Sequence, residues 1–353
     1  MKREGREKTL REALADKVLA MIEAGPEGDP AAFDEMALEI FAYQYACNQP
    51  YRRFCDAKGV TPENITHWSE IPALPTEAFK KEMIASFPME EAVMALLTSG
   101  TTSPNQRGRI FRDETGRKLV LTANRVMTGA YLFPDFASGQ RCRLLILAPG
   151  PDLAPSMGMA VGMEQTRLHF GTPESRFLLG RTGIDVRGLV AALREAEETG
   201  EPVALIGATS AFVYFFRACQ KKGLTFRLPP GSRICDGGGY RGRFGEMTRE
   251  DYYALAEEIF GVPATHCVNT LGMGESATNY FDNSLREFFL GRSGVPRRKV
   301  PPPWTRVAAV SVEDLTPFPP GRVGLLRHYD LANLPTAVAV QTDNLGYTDE
   351  SNP

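Results

Sequence analysis

The sequence predicts an α/β protein in which a sheet is wrapped by helices and preceded by an N-terminal helical cap. Three observations carry that prediction. Between residues 143 and 260, short apolar runs alternate with helix-length segments, the pattern of strands separated by covering helices. Before residue 60, three segments carry helical signals. Glycine-rich stretches directly follow several of the apolar runs, where ligands of α/β sheets lie, beyond the carboxyl ends of the strands.

In chain order, Leu10, Leu14, Val18 and Ile22 recur at four-residue spacing and place one apolar stripe on a helix over residues 7–23. Asp29-Pro30 reads as an N-cap followed by proline at the first helical position, opening a second helix with Phe33, Met36, Ala37, Ile40 and Phe41 on one face. A third helix is expected from Tyr51 to Ala57, stopped by Gly59. His67 to Pro75 should be extended, because each proline keeps its predecessor out of helical geometry, and Thr76 should cap a helix over Glu77 to Lys81. Ala92 to Leu97 is a buried strand or a helix end. Arg109 to Phe111 reads as a strand and Asp113 to Ala130 as a helix. Strands follow at Arg143 to Ala148, Val203 to Gly207 and Arg233 to Cys235, with helices at Val186 to Thr199, Thr209 to Lys222 (Thr209 as cap) and Arg249 to Phe260. The expected organisation is a helical region over residues 1–90 packed on an α/β core over 91–353.

With 353 residues, 43% hydrophobic and 24% charged, the chain can bury a sizeable core, and a net charge of -3 offers no general attraction for nucleic acid or anionic membrane. The N-terminal stretch has no uninterrupted apolar core, and Val203 to Phe216 is too short for a bilayer span, so a cytoplasmic protein is expected. The six cysteines and four histidines are scattered, with no metal-ligand spacing.

The motif with the clearest chemistry is Leu97 to Gly108, LTSGTTSPNQRG, rich in threonine, serine and glycine. Glycines let backbone N–H groups converge on one anion, and small hydroxyls add donors, as a polyphosphate requires. It is not a Walker loop, because no Gly-Lys-Ser/Thr closes it. Three further loops follow: Asp236-Gly237-Gly238-Gly239-Tyr240-Arg241; Val268-Asn269-Thr270-Leu271-Gly272-Met273-Gly274-Glu275-Ser276, a short strand, a glycine-rich turn and a single carboxylate; and Thr342-Asp343-Asn344-Leu345-Gly346, with an aspartate in a turn. Taken singly, each also reads as ordinary turn chemistry.

In this order the loops resemble those of the acyl-adenylating ligase (ANL) superfamily, and more closely the LuxE-type acyl-protein synthetases. Ile71-Pro72-Ala73-Leu74-Pro75-Thr76-Glu77-Ala78-Phe79-Lys80, Gly237 to Arg241, and the span from Trp304 through Gly321 and Gly324-Leu325-Leu326 to Asp343 carry the closer likeness. The resemblance covers about residues 65 to 348. It implies the large N-terminal ANL-type domain of mixed sheets wrapped by helices, without a full C-terminal domain. It further implies activation of a fatty or aryl carboxylic acid with ATP and Mg²⁺, then acyl transfer to a thiol of a carrier protein, a partner protein or CoA. Thr98, Ser99, Gly100, Thr101 and Thr102 would grip the phosphates, with Arg107 where relatives carry lysine, and Glu275 would hold Mg²⁺. Gly237, Gly238, Gly239 and Tyr240, with Leu271, Gly272 and Met273, would flank adenine and the acyl-adenylate, and Asp343 would accept from the ribose hydroxyls. The acid would lie among Met157 to Met163 and Ala208 to Phe212. A non-catalytic nucleotide- or acyl-binding subunit is the alternative from another class.

Overall fold

The computed structural model describes residues 2–98, 107–239 and 247–349, with side chains from residue 9 onward. The chain forms two compact units: Met1–Val126 with Met273–Thr278 and Pro301–Pro353, and Met127–Gly272 with Asn279–Val300.

The first unit opens with helices Lys2–Ala24, Phe33–Cys47 and Gln49–Ala57. Leu14, Val18 and Ile22 are buried as the stripe requires, whereas Leu10 is 49% exposed. The second helix begins later than the Asp29-Pro30 signal, because the Asp29 carboxylate accepts the Ala31 N–H and closes a separate turn ahead of it. Its apolar face is as expected: Phe33, Met36, Ala37, Ile40 and Phe41 are all buried. The third starts before Tyr51, since Asn48 caps it by accepting the Tyr51 N–H. His67 to Pro75 is not wholly extended. His67 and Glu70 form a capping box around a 3₁₀ turn at Trp68–Glu70, and Glu70 takes the N–H groups of Thr66 and His67.

Leu74–Pro75 then pairs in parallel with Ala339–Gly346 at the edge of a four-stranded sheet, continued by Gly324–Asp330 and Thr305–Val310. An edge tolerates the missing N–H of Pro75. Thr76 does not cap Ala78–Lys81. Its N–H extends the strand pairing to Gln341 O, and Glu77 takes the cap position without a side-chain bond. Met94–Leu97 and Arg109–Arg112 form an antiparallel hairpin in which Leu97 faces Arg109. The first of these is therefore a strand, and only its Leu96 is buried, because a two-stranded ribbon covers one face.

The second unit holds a six-stranded sheet in the order Tyr280–Phe281, Cys267–Leu271, Arg233–Gly237, Val203–Ala208, Arg143–Leu147, Arg176–Phe177. All pairs are parallel except the one made by Tyr280–Phe281. Continuous apolar runs suit strands covered on both faces. The three expected helices appear at Val186–Thr199, Thr209–Lys222 and Arg249–Phe260, and a fourth, unforeseen, spans Gly158–Phe170. Leu145, Leu205, Ile234, Phe212, Phe215, Phe216, Tyr252 and Phe260 share one core. Phe212 packs on Phe216 and Tyr252, so it belongs to that core instead of lining an acid pocket. Thr209 is the first helical residue, not the cap. Its hydroxyl donates to Asp236 Oδ2 and Gly237 O, and Ala208 sits at the cap position.

Gly207 lies where a Cβ would come within 2.5 Å of Leu147 O on the neighbouring strand. Backbone cannot yield there as a side-chain tip can, so Gly207→Ala should destabilise the chain by about 1–3 kcal/mol. Urea unfolding followed by far-UV circular dichroism measures this.

Candidate active site

In the first unit, the loop of residues 98–108 is closed by a reciprocal pair: Thr98 N–H donates to Gly108 O at 3.0 Å, and Gly108 N–H donates to Thr98 Oγ1 at 2.9 Å. Thr98 is 7% exposed. Its side chain therefore closes the base of the loop. Gly108 is needed for close approach, since a Cβ there would meet Thr98 Cγ2 at 2.9 Å and the backbone of Phe79 at 3.3 Å. Arg107 is exposed. Ser99, Gly100, Thr101 and Thr102 lie outside the described residues.

The turn carrying Met273, Gly274 and Glu275 packs on that same base. A Cβ at Gly274 would stand 3.3 Å from Ile110 Cδ1 and 3.9 Å from Thr98 Cγ2. Long-range bonds hold the turn on either side of Glu275. Arg112, fully buried in the hairpin, points Nη2 at Gly274 O at 3.4 Å, and Asn333 Nδ2 donates to Glu275 O at 3.0 Å. Beyond Glu275, the buried Asp330 carboxylate accepts from Ser276 Oγ, the N–H groups of Ala277 and Thr278, and Thr278 Oγ1 at 2.8–3.1 Å. Trp304 Nε1 donates to that same Thr278 hydroxyl. Burial pushes the Arg112 guanidinium down to about 10 against the pull of Asp330 and Asp113.

Glu275 is 7% exposed. Burial raises its pKa above the usual carboxylate value, a bond from its own backbone N–H and the charge of Lys80 oppose the shift, and Asp343 adds to it. Asp343 is exposed and lies in the strand Ala339–Gly346, not in a turn. The strand there is irregular: Leu325 pairs with Leu345 but Arg327 with Gln341, so Thr342 to Asn344 bulge opposite Leu326. Thr342 Oγ1 ties the bulge to Leu326 O. A bulge of this kind re-aims a side chain out of the pleat.

The second unit carries the other loop. Gly237 ends its strand where a Cβ would meet Thr270 Cγ2 at 2.8 Å, and Gly238 and Gly239 adopt φ of 77° and 63°, conformations that favour glycine. Tyr240 lies outside the described residues. The residue before the glycines, Asp236, is fully buried and held by Arg249 through both oxygens at 2.9 and 2.8 Å, by Thr209, and by Asn269 Nδ2. Asn269 also accepts from Lys299, which reaches Asp282, itself bonded by Arg297. Leu271 is half-buried at the end of its strand, and Gly272, exposed, approaches Asn279, whose Oδ1 would lie 2.2 Å from a Cβ.

The sequence reading found the loops, missed the groups Arg112, Asp330, Asn333 and Arg249 that aim them, and did not give Asp236 and Asn269 that role. Five of the six thiols are placed against nucleophilic use. Burial pushes Cys55, Cys142 and Cys267 up to about 12 and Cys219 to about 11, and raises Cys235 further. Among the described residues no three His, Cys, Asp or Glu side chains group as a metal site.

Two substitutions test these environments. Because the folded-state pKa of Glu275 is raised, its charge costs stability above the ordinary carboxylate value of 4.5, and the cost vanishes as pH falls below it. Glu275→Gln should therefore raise the melting temperature at pH 7 and leave it unchanged near pH 4. Arg249→Leu leaves Asp236 buried without its cation and should lower unfolding free energy by roughly 3–5 kcal/mol, read from chemical denaturation.

Comparison with known proteins follows from this geometry. A family model described as "Acyl-protein synthetase, LuxE" matches residues 21–353. The chain is 24% identical over 314 residues to the long-chain-fatty-acid–luciferin-component ligase of Vibrio harveyi, covering 88% of this chain and 77% of that one. It is likewise 24% identical over 320 residues to the ligase of the same name from Aliivibrio fischeri, covering 90% and 79%. Among solved structures, an open conformation of 2-hydroxyisobutyryl-CoA ligase in complex with 2-HIB-AMP and CoA superposes with a TM-score of 0.64 at 13% identity, covering 92% of this chain and 67% of that one. That likeness shows the fold, the mixed α/β architecture of the large N-terminal domain of adenylate-forming ligases.

Proposed function

The chain belongs to the LuxE family of acyl-protein synthetases, and from that premise we propose how its residues divide the work of an AMP-forming acid–thiol ligase. The enzyme activates a carboxylic acid as an acyl-adenylate and passes the acyl group to a thiol. In the first step a carboxylate oxygen attacks the α-phosphorus of ATP, the new O–P bond forms, the α–β anhydride bond breaks and pyrophosphate leaves. A carboxylate is already ionised near neutrality and needs no general base. The protein must hold two anions in line and offset the charge that develops. In the second step a thiolate attacks the acyl carbon, the C–S bond forms, the C–O bond breaks and AMP leaves.

The observation that carries the residue assignment is the buried Glu275 carboxylate, clamped on both sides and packed on the base of the serine- and threonine-rich loop. A single buried carboxylate suits Mg²⁺, which keeps several waters and takes its remaining ligands from phosphates. Glu275 would hold that ion, and the ion would neutralise phosphate charge. In this reading Ser99, Gly100, Thr101 and Thr102 bind the phosphates, and Thr98 closes the loop's base. Gly237, Gly238, Gly239 and Tyr240, with Leu271, Gly272 and Met273, border adenine and the adenylate, Arg107 stands at the loop's exit, and Asp343 takes the ribose. Residues 1–90 serve as a helical support for the core over 91–353.

The acid is a long-chain fatty acid, as supported by the names of the two bacterial relatives. The acceptor is the thiol of a partner protein, which the family description favours and the buried thiols of Cys235 and Cys267, raised by that burial, support. Among the described residues no helix is long and apolar enough to cross a membrane, and we place the reaction in the cytoplasm.

ATP–pyrophosphate exchange over a panel of fatty and aryl acids tests the proposal. Exchange is expected with long-chain acids, and ATP binding without exchange for any acid would leave only a nucleotide-binding subunit. Thr101→Ala and Thr102→Ala should each lose most exchange with the circular dichroism spectrum unchanged. Full activity in both would remove the phosphate-loop assignment.

A further inference from the structure

One end of the four-stranded sheet in the first unit carries a bare apolar surface. Leu325 pairs with Leu345 and Gly324 with Gly346, and the same register carried one residue further sets Val323 opposite Tyr347. Leu345, Tyr347 and Val323 are 68%, 64% and 58% exposed, and Val312, just after the strand Thr305–Val310, is exposed as well. Singly such residues are ordinary on a protein surface, but four on adjoining segments make a patch of the kind that marks an interface. The turn beside it is strained. Leu315 holds a φ of 61°, the one positive value at a non-glycine among the described residues. It is fixed there by Ser311 N–H donating to Thr316 O, by Leu315 N–H donating to Ser311 O, and by Asp314 Oδ1 accepting the Thr316 N–H. A bulky residue kept in that region by its surroundings argues for a functional turn.

The second unit carries a cleft of about 510 Å³ whose lining includes Thr265, Ser284, Phe288, Arg292, Val295 and Arg297. Phe288 is 51% exposed, and Phe289 and Leu290 beside it are exposed too. The Phe288 ring stands edge-on to His266, and Gly291 and Gly294, with φ of 68° and 76°, carry the chain around the cleft. We propose that this cleft receives the apolar sheet end of a second copy of this chain, in a head-to-tail contact.

Charge selects that occupant. Residues 282–299 hold Arg286, Arg292, Arg297, Arg298 and Lys299 against Asp282 and Glu287, a net +3. Segments 311–323 and 343–349 hold Arg322 against Glu313, Asp314, Asp343 and Asp349, a net -3. A two-fold dimer through either surface would set like charges against each other, whereas the two unlike surfaces attract. Of the guanidiniums lining the cleft, Arg297 is engaged by Asp282 and by the carbonyls of Cys267 and Ala264. Arg292 is exposed and stands 3.6 Å from Glu287, so it is the cation placed to meet the carboxylates of Glu313 and Asp314. A projecting apolar end seated in a cleft elsewhere on the same molecule joins copies into a ring where the rotation closes, and into a growing chain where it does not.

The inference stands apart from the adenylation reading and is tested on the full chain alone. Sedimentation velocity is run over a concentration series for the wild type, for Leu345→Ser with Tyr347→Ser, for Phe288→Ser with Val295→Ser, and for the two variants mixed in equal amounts, with melting temperatures alongside. The wild type should associate as concentration rises, and less tightly at about 1 M salt than at about 0.1 M, where the screening length is roughly 3 and 10 Å. Each double variant should lose association by about tenfold or more at an unchanged melting temperature. Their mixture should recover wild-type affinity but stop at a dimer, because one variant keeps the cleft and the other keeps the apolar end. Arg292→Glu, at an exposed side chain, should weaken association in the same way and serves if a double variant melts early. A wild type that stays monomeric throughout would overturn the proposal. So would wild-type association in Arg292→Glu or in either folded double variant, or a mixture that fails to pair.

Discussion

The structure of the first unit depends on one buried carboxylate. Asp330 is fully enclosed, and an ionised group there is tolerable only when its lone pairs are met. Burial pushes its pKa up, and donors from Ser276, Ala277, Thr278 and Ala332 oppose that shift. In satisfying itself Asp330 immobilises the three residues after Glu275. Arg112 and Asn333 meanwhile hold the carbonyls of Gly274 and of Glu275 itself. The consequence is a carboxylate whose backbone is held on both sides. Such preorganisation lets a binding group act without reorganising.

The second unit solves a related problem with a different device. Three glycines leaving a strand have no side chains to fix their course, and two of them occupy left-handed conformations. Order is imposed one residue earlier, where Asp236 joins Arg249, Thr209 and Asn269, with Asn269 tied in turn to Lys299. Members of this network come from two parallel strands, from the first residues of two covering helices, and from Lys299. The glycine turn is therefore aimed by the sheet rather than by its own sequence. Charged residues carry the specificity in both units, while apolar contacts such as Phe216 on Tyr252 and Phe215 on Phe260 supply most of the burial in the second.

Parts of this were legible in the sequence. The parallel strands at Arg143–Leu147, Val203–Ala208 and Arg233–Gly237 are continuous apolar runs because both faces are covered, and local composition reports that directly. The helix Gly158–Phe170 escaped notice because two glycines and dispersed methionines blur its stripe. The sheet of Thr305–Val310, Gly324–Asp330 and Ala339–Gly346, consecutive antiparallel strands, escaped because Arg306, Arg327, His328 and Gln341 interrupt its apolar runs. Helix starts were misplaced at Asp29-Pro30 and Thr76, where the polar group had a competing use in a turn or in a strand pairing.

The sequence by itself determined the chemical inventory: a loop dense in hydroxyls and glycines, a glutamate after a glycine-rich turn, a glycine triplet, an aspartate near the end, and the family to which their order belongs. These are short-range patterns, and short-range patterns survive reading in one dimension. Only the tertiary structure decided what holds them. It assigned Thr98 to closing its loop and set Asp343 in a bulge. It also supplied Asp330, Arg112 and Asn333 from far along the chain. The reason is physical: a buried charge is stabilised by whichever donors folding brings to it, and nothing in the spacing of residues along a chain records which those will be.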